Sequence, residues 1–197
     1  VVAGLHSQEI FRDKKWFPLL NMHGEPGSCK TLAAETALSL VGTNWAEKGM
    51  ISRASVSAIY EHGSKTGSLP FIWDDPPRNP DTEEIFKTWA NRKARLVRGN
   101  RQEPKSPLGC DSNHVIGSDS AATYTRMVRL PFERAKSGDN SAFTQLQEAQ
   151  KFASGAFPFL LSLGYPKAEI AALEKELLLH LPKAHARIAQ ALSLIHI

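Results

Sequence analysis

Between Phe17 and Thr31 the chain reads FPLLNMHGEPGSCKT, an apolar run that breaks into a Gly-rich turn and closes on Lys-Thr. No other stretch restricts the fold as much. Phe17, Leu19, Leu20 and Met22 read as a buried strand, and Leu32 to Leu40 reads as a helix. A glycine turn between a strand and a helix is the setting of a phosphate-binding loop. There, loop N–H groups surround a β-phosphate, Lys reaches the β- and γ-phosphate oxygens, and Ser or Thr holds Mg²⁺. The helix N-terminus adds its positive dipole end. Gly24, Lys30 and Thr31 meet the pattern G-x-x-x-x-G-K-[ST], whereas Cys29 stands where its last glycine belongs. The expected nucleotide-binding set is Gly24, Glu25, Pro26, Gly27, Ser28, Cys29, Lys30 and Thr31. The plain alternative is a chance Gly/Pro turn.

Leu69 to Asp75, LPFIWDD, reads as a short apolar strand ending in two acids. A Mg²⁺ site wants a hard carboxylate oxygen, and hydrolysis wants a group that polarises the attacking water. Adjacent acids at a strand end can serve both, and the Walker B pattern that the segment resembles implies Asp74 as the metal partner beside Thr31 and Asp75 as the catalytic acid. A strand closing on an Asp-Asp-Pro-Pro turn is the bland reading. Farther on, Ser106 to Asn113 reads as a weaker strand. Asn113 would lie level with the other strand ends if these strands are parallel neighbours, since ligands bind at the carboxyl edge of such sheets. Between them, Asp81 is expected to cap a helix from Thr82 to Arg95 with Ile85, Phe86 and Trp89 on one face. Arg92, Lys93, Arg95, Arg98, Arg101 and Lys105 fall within 14 residues, interrupted by Gly99-Asn100 as a hairpin or loop tip. Such a cluster is either a solvated face or a phosphate-contacting loop. Ala121 to Phe132 reads as a short helix flowing into a strand that carries Arg126 and Arg129, each a candidate transition-state cation or an ordinary surface charge.

A chain of 197 residues holds one α/β domain and a small appendage. Its 42% hydrophobic and 22% charged residues are those of a globular protein, and no apolar run is long enough to cross a bilayer, so no membrane partner is expected. The net charge of +4 does not by itself establish a nucleic-acid partner. Two cysteines, Cys29 and Cys110, form neither a disulfide framework nor a metal-ligand spacing, which points to a cytoplasmic or nuclear setting. The expected organisation is the end of a preceding helical segment at 1–15, a nucleotide-binding core at 16–135 and a helical lid or collar at 136–191. Leu192 to Ile197 matches the translation of a sequencing-library adaptor and is expected to be an artefact, the alternative being an ordinary apolar helix end. Together with a start lacking Met, this reads as a fragment of a longer protein.

Gly24 to Thr31, Asp74-Asp75, Asn113 and Arg126, in this order, resemble a P-loop ATPase of the AAA+ and superfamily 3 helicase kind over about residues 16–135. The resemblance implies an α/β fold, a three-layer P-loop NTPase core with a mainly parallel sheet, followed by a small helical tail. It implies ATP and Mg²⁺ as cofactors, Asn113 as the sensor 1 residue, Arg126 as an arginine finger, and a homo-oligomeric ring. It also puts Arg98, Arg101 and Lys105 where superfamily 3 helicases carry a DNA-contacting hairpin, so single- or double-stranded DNA becomes an expected partner. The function so implied is the ATP-hydrolysing motor of a replication-type helicase. Two alternatives stay open: a nucleotide-regulated interaction or signalling module, and a pseudo-ATPase disabled at Cys29, whose side chain should crowd the phosphates or disturb the turn.

Overall fold

The strand that opens the Gly-rich turn sits inside a five-stranded sheet. In the computed structural model, which describes residues 2–134 and 140–180, this strand is β1 (Leu19–Gly24). It is flanked by β6 (Leu108–Ser112) and β7 (Met127–Phe132), and beyond β6 lie β3 (Phe71–Asp74) and β2 (Met50–Ser52), giving the order β2-β3-β6-β1-β7. All four pairings are parallel. The fold is α/β, with helices against the sheet and a helical C-terminal region.

Parallel strands need both faces covered and so read as apolar runs. β3 is buried at Phe71, Ile72 and Trp73, and β6 is buried throughout. On one face Trp73, Phe71, Leu108, Cys110 and Leu19 pack against α5 (Val56–Lys65) and α6 (Pro80–Trp89) through Ile59, Tyr60, Ile85, Phe86 and Trp89. On the other, Met22 and Ile72 pack against Ala34 and Leu38 of α3 (Lys30–Ser39). Gly63 lets α5 and α6 approach, since a Cβ there would stand 2.3 Å from Trp89 Cζ2.

Before the sheet come α1 (Val2–Leu5) and α2 (Ser7–Lys14). A short helix, α7 (Ala121–Tyr124), precedes β7, and after the sheet α8 (Asn140–Phe152), a 3₁₀ turn (Ala153–Ala156), α9 (Phe157–Ser162) and α10 (Lys167–His180) form the helical region. α10 returns to α2: Ile170 buries against Ile10, Lys14 pairs with Glu174 at 2.6 Å, and Lys167 pairs with Asp13 at 2.7 Å. The last part of the expected helical lid, 181–191, and the adaptor-like end at 192–197 lie outside the described residues.

Several expected boundaries move. The helix after Asp74 is capped by Asn79, whose Oδ1 accepts from Thr82 N at 2.9 Å, and not by Asp81; Pro80 occupies its first turn. It ends at Trp89 rather than Arg95, because Arg92 turns left-handed at φ 49°. α5 begins at Val56 under a Ser55 cap and runs through His62 to Lys65, while Ser52 ends the short β2. A further helix, α4 (Thr43–Lys48), follows Gly42.

Candidate functional site

The carboxyl ends of β1, β6 and β3 lie side by side: Met22 is level with Asp111, and Asp111 with Asp74. Ligands in open parallel sheets settle at this edge, where strand connections diverge to opposite sides. The Gly24–Thr31 loop occupies it. Gly24 has no room for a side chain, since a Cβ would stand 2.0 Å from the Phe132 carbonyl oxygen on β7. Gly27 takes φ 79°, a region glycine enters at no steric cost. Cys29 also lies in the left-handed region, at φ 63° and ψ 21°, as the cap residue of α3, with its side chain exposed. The turn is therefore made with a Cβ in the glycine's conformation. Its carbonyl accepts from Ala33 N at 3.0 Å, starting the helix.

Lys30 is buried in this loop. Its Nζ donates to the carbonyl oxygens of Gly24 at 2.9 Å and Glu25 at 3.0 Å, to Ser28 Oγ at 3.3 Å and to Asn113 Oδ1 at 3.3 Å. All four acceptors are neutral, and among the described residues no carboxylate lies within salt-bridge distance of it. Asn113, more than 80 residues downstream, thus meets the loop's lysine. Thr31 Oγ1 donates to Asp111 Oδ2 at 2.7 Å.

Asp74 ends β3, half-buried, and its pKa is raised by burial first and then by the neighbouring Asp111 and Asp75 carboxylates, against the pull of Lys30. Asp75 is exposed and left-handed at φ 45°, and its N–H donates to the Asp111 carbonyl at 2.8 Å. Three carboxylates from two adjacent strands therefore share one side of the loop.

Arg126 is not brought to the loop. It precedes β7 at the opposite end of the sheet, where its carbonyl accepts from Leu19 N, and its guanidinium donates to Ala122 O. Arg129 packs its guanidinium 3.6 Å over the Tyr124 ring and donates to Tyr124 O and Ile116 O. The basic cluster forms a separate antiparallel hairpin, β4 (Arg95–Val97) and β5 (Asn100–Gln102). Its two-residue tip is Arg98-Gly99, not Gly99-Asn100; both have positive φ, at 49° and 80°, as tight hairpins require. Arg98, Arg101 and Lys105 are exposed, with Arg101 beside Glu103 at 3.4 Å.

Two buried polar residues escaped the sequence reading. Asp111 lay in the polar end of a weaker strand, where only Asn113 was singled out, and only its strand pairing sets it against Thr31. Asn21 is fully buried within β1, donating to Ser112 Oγ at 2.8 Å and accepting from Ile116 N at 3.0 Å, so it clamps the end of β6 to β1. A lone amide in an apolar strand was the signal that could have found it, because such a group must be satisfied.

No family model matches the sequence, and no curated protein matches it. Solved structures do. A structure described as SCCmec type IV Cch, active helicase, superposes with a TM-score of 0.69 at 15% identity, over 98% of this chain and 40% of that one. The fold is helicase-like. The apo C-terminal region of NrS-1 also matches, with a TM-score of 0.51 at 14% identity, over 84% of this chain and 42% of that one. The chain thus spans about two fifths of the length of either. At such identities the likeness speaks for the fold alone, and the chemistry rests on the residues at the sheet edge.

Proposed function

We propose that this helicase-like domain binds ATP with Mg²⁺ at the Gly24–Thr31 loop and hydrolyses it as the motor core of a replication-type helicase. One observation carries the reading: a buried lysine at a helix N-terminus is held by neutral acceptors from its own loop and from Asn113. A buried cation without a carboxylate has its strongest available partner in an anion. The residues fit a nucleotide and its metal. Gly24, Glu25, Pro26, Gly27, Ser28 and Cys29 would surround the phosphates, Lys30 would pair with them, Thr31 would hold Mg²⁺, and Asp74, one strand farther off, would hold it through its water shell. When bound, the cation neutralises charge on the phosphate oxygens. Among the described residues no three His, Cys, Asp or Glu side chains converge as a ready-made metal cage. That suits Mg²⁺, which takes one or two carboxylates plus substrate phosphates.

Asp75 is assigned the water-polarising role and Asn113 the contact to the γ-phosphate or attacking water. Arg126 lies at the end of the sheet away from the loop, and the resemblance assigns it to a neighbouring protomer's nucleotide in a homo-oligomer. Arg98, Arg101 and Lys105 on and beside the hairpin are assigned to nucleic-acid phosphates. The test is nucleotide binding and DNA-stimulated hydrolysis by the purified chain. Lys30→Ala should weaken ATP binding by about tenfold or more, about 1.4 kcal/mol per decade. No binding by the unaltered chain, or equal binding by the variant, would remove the reading. A second reading, a nucleotide site disabled at Cys29, draws on the left-handed backbone at that residue.

A further inference from the structure

We infer that Asp111, on the strand between the loop and Asp74, is the carboxylate that orients Thr31 and the water shell of the nucleotide-bound cation. This rests on the nucleotide reading above and adds to it a residue outside the expected set.

Strand order comes first. β6 is inserted between β1 and β3, so the strand adjacent to the loop ends in Asp111, and Asp74 stands one strand farther away. Neighbouring strands are about 4.8 Å apart, so Asp74 is about twice that from β1. The hydroxyl comes second. Thr31 Oγ1 has one proton and two lone pairs, and its proton goes to Asp111 Oδ2 at 2.7 Å. With the proton so committed, the lone pairs face away from Asp111, which is the arrangement a hydroxyl needs to meet a hard cation. Burial is third. Asp111 is 3% exposed, and among the described residues its side chain meets the Thr31 hydroxyl and no cationic side chain within 4.0 Å. A buried carboxylate held by a neutral donor is completed by positive charge. Asp74, by contrast, makes no side-chain hydrogen bond among the described residues.

Asp111→Asn keeps the shape and an acceptor oxygen for Thr31 while removing the charge. Asp74→Asn removes the same charge one strand away. Binding of a fluorescent ATP analogue to the full chain would be followed without metal and then as Mg²⁺, or Mn²⁺ as its paramagnetic substitute, is added. Asp111→Asn should leave metal-free nucleotide affinity equal or higher, since one negative charge beside the phosphates is gone, and raise the Mg²⁺ midpoint by about tenfold or more, as loss of a group that orients a metal ligand does. The shift in Asp74→Asn should be smaller. Thr31→Val should show the same loss and add nothing when combined with Asp111→Asn, the sign of coupled groups. A Mg²⁺ midpoint in Asp111→Asn equal to that of the unaltered chain would overturn the inference while leaving nucleotide binding intact. So would a larger shift in Asp74→Asn. If the unaltered chain binds no nucleotide, with or without metal, both readings fall together. Metal-free affinity and a thermal melt report whether Asp111→Asn folds. Should it not fold, Asp111→Ser, which also offers Thr31 a neutral acceptor, is read by the same titration.

Discussion

Cys29 shows how one residue can satisfy a fold and strain it together. A left-handed backbone costs an ordinary residue about 1–2 kcal/mol, and glycine is spared that cost. Here the φ of 63° is held because α3 starts at the next residue and Lys30 is tied to Gly24, Glu25, Ser28 and Asn113. Cys29→Gly should therefore raise stability by about 1 kcal/mol, read as a higher denaturation midpoint. It should also tighten ATP binding if the side chain crowds the phosphates. Equal affinity in both forms would mean that the exposed thiol points clear of the ligand. The loop's pattern was legible because spacing and flanking apolar residues suffice to place it. The distant acceptors of Lys30 and Thr31 were not: Asn113 and Asp111 lie 83 and 80 residues away, and no local pattern carries that pairing.

At the scale of elements, the β4–β5 hairpin stands apart from the main sheet. Its Leu96 is 76% exposed, and Arg98 at the tip and Arg101 on the return strand face solvent. Phosphate contacts displace counterions, so each basic residue that makes one contributes to the salt dependence of binding. Reversing both charges, Arg98→Glu with Arg101→Glu, should weaken DNA binding and lower the slope of log K against log salt by about 2, measured by titration at several ionic strengths. An unchanged slope would assign the hairpin to another role and favour the signalling-module reading. The charge cluster was evident in the sequence, and so was a turn near Gly99. The helix before it was read too long because Arg92, Lys93 and Arg95 suit a helix as well as a strand. The left-handed turn at Arg92, whose guanidinium bonds to Gln8, to Ser7 O and to Lys105 O, ends the helix by tertiary contacts.

Across the whole molecule, acid should loosen the fold before its carboxylates titrate. His62 packs between Trp45, at 6.0 Å, and Phe71, at 4.8 Å, and burial holds its pKa below the ordinary 6.5. His23, at the end of β1, is lowered by burial first and then by Arg129 and Lys30. As pH falls through 6.5 the unfolded chain takes up protons on both imidazoles while the folded chain resists, so the unfolded state binds more protons and stability falls. The thermal midpoint should drop between about pH 7 and 5.5, and less steeply in His62→Phe, which keeps the ring packing without the titrating group. A drop of equal steepness in that variant would place the dependence elsewhere. What the sequence determined alone was the order of parts: strand, glycine turn, helix, acidic strand end, basic hairpin, polar strand end and helical tail. These follow from periodicity, turn chemistry and charge, all carried within a few residues. Only the tertiary structure decided that β6 lies between β1 and β3, that Asp111 rather than Asp74 meets Thr31, and that Arg126 lies at the opposite end of the sheet from the loop. Strand order is set by which buried faces pack together across the whole chain, and short-range patterns do not encode it.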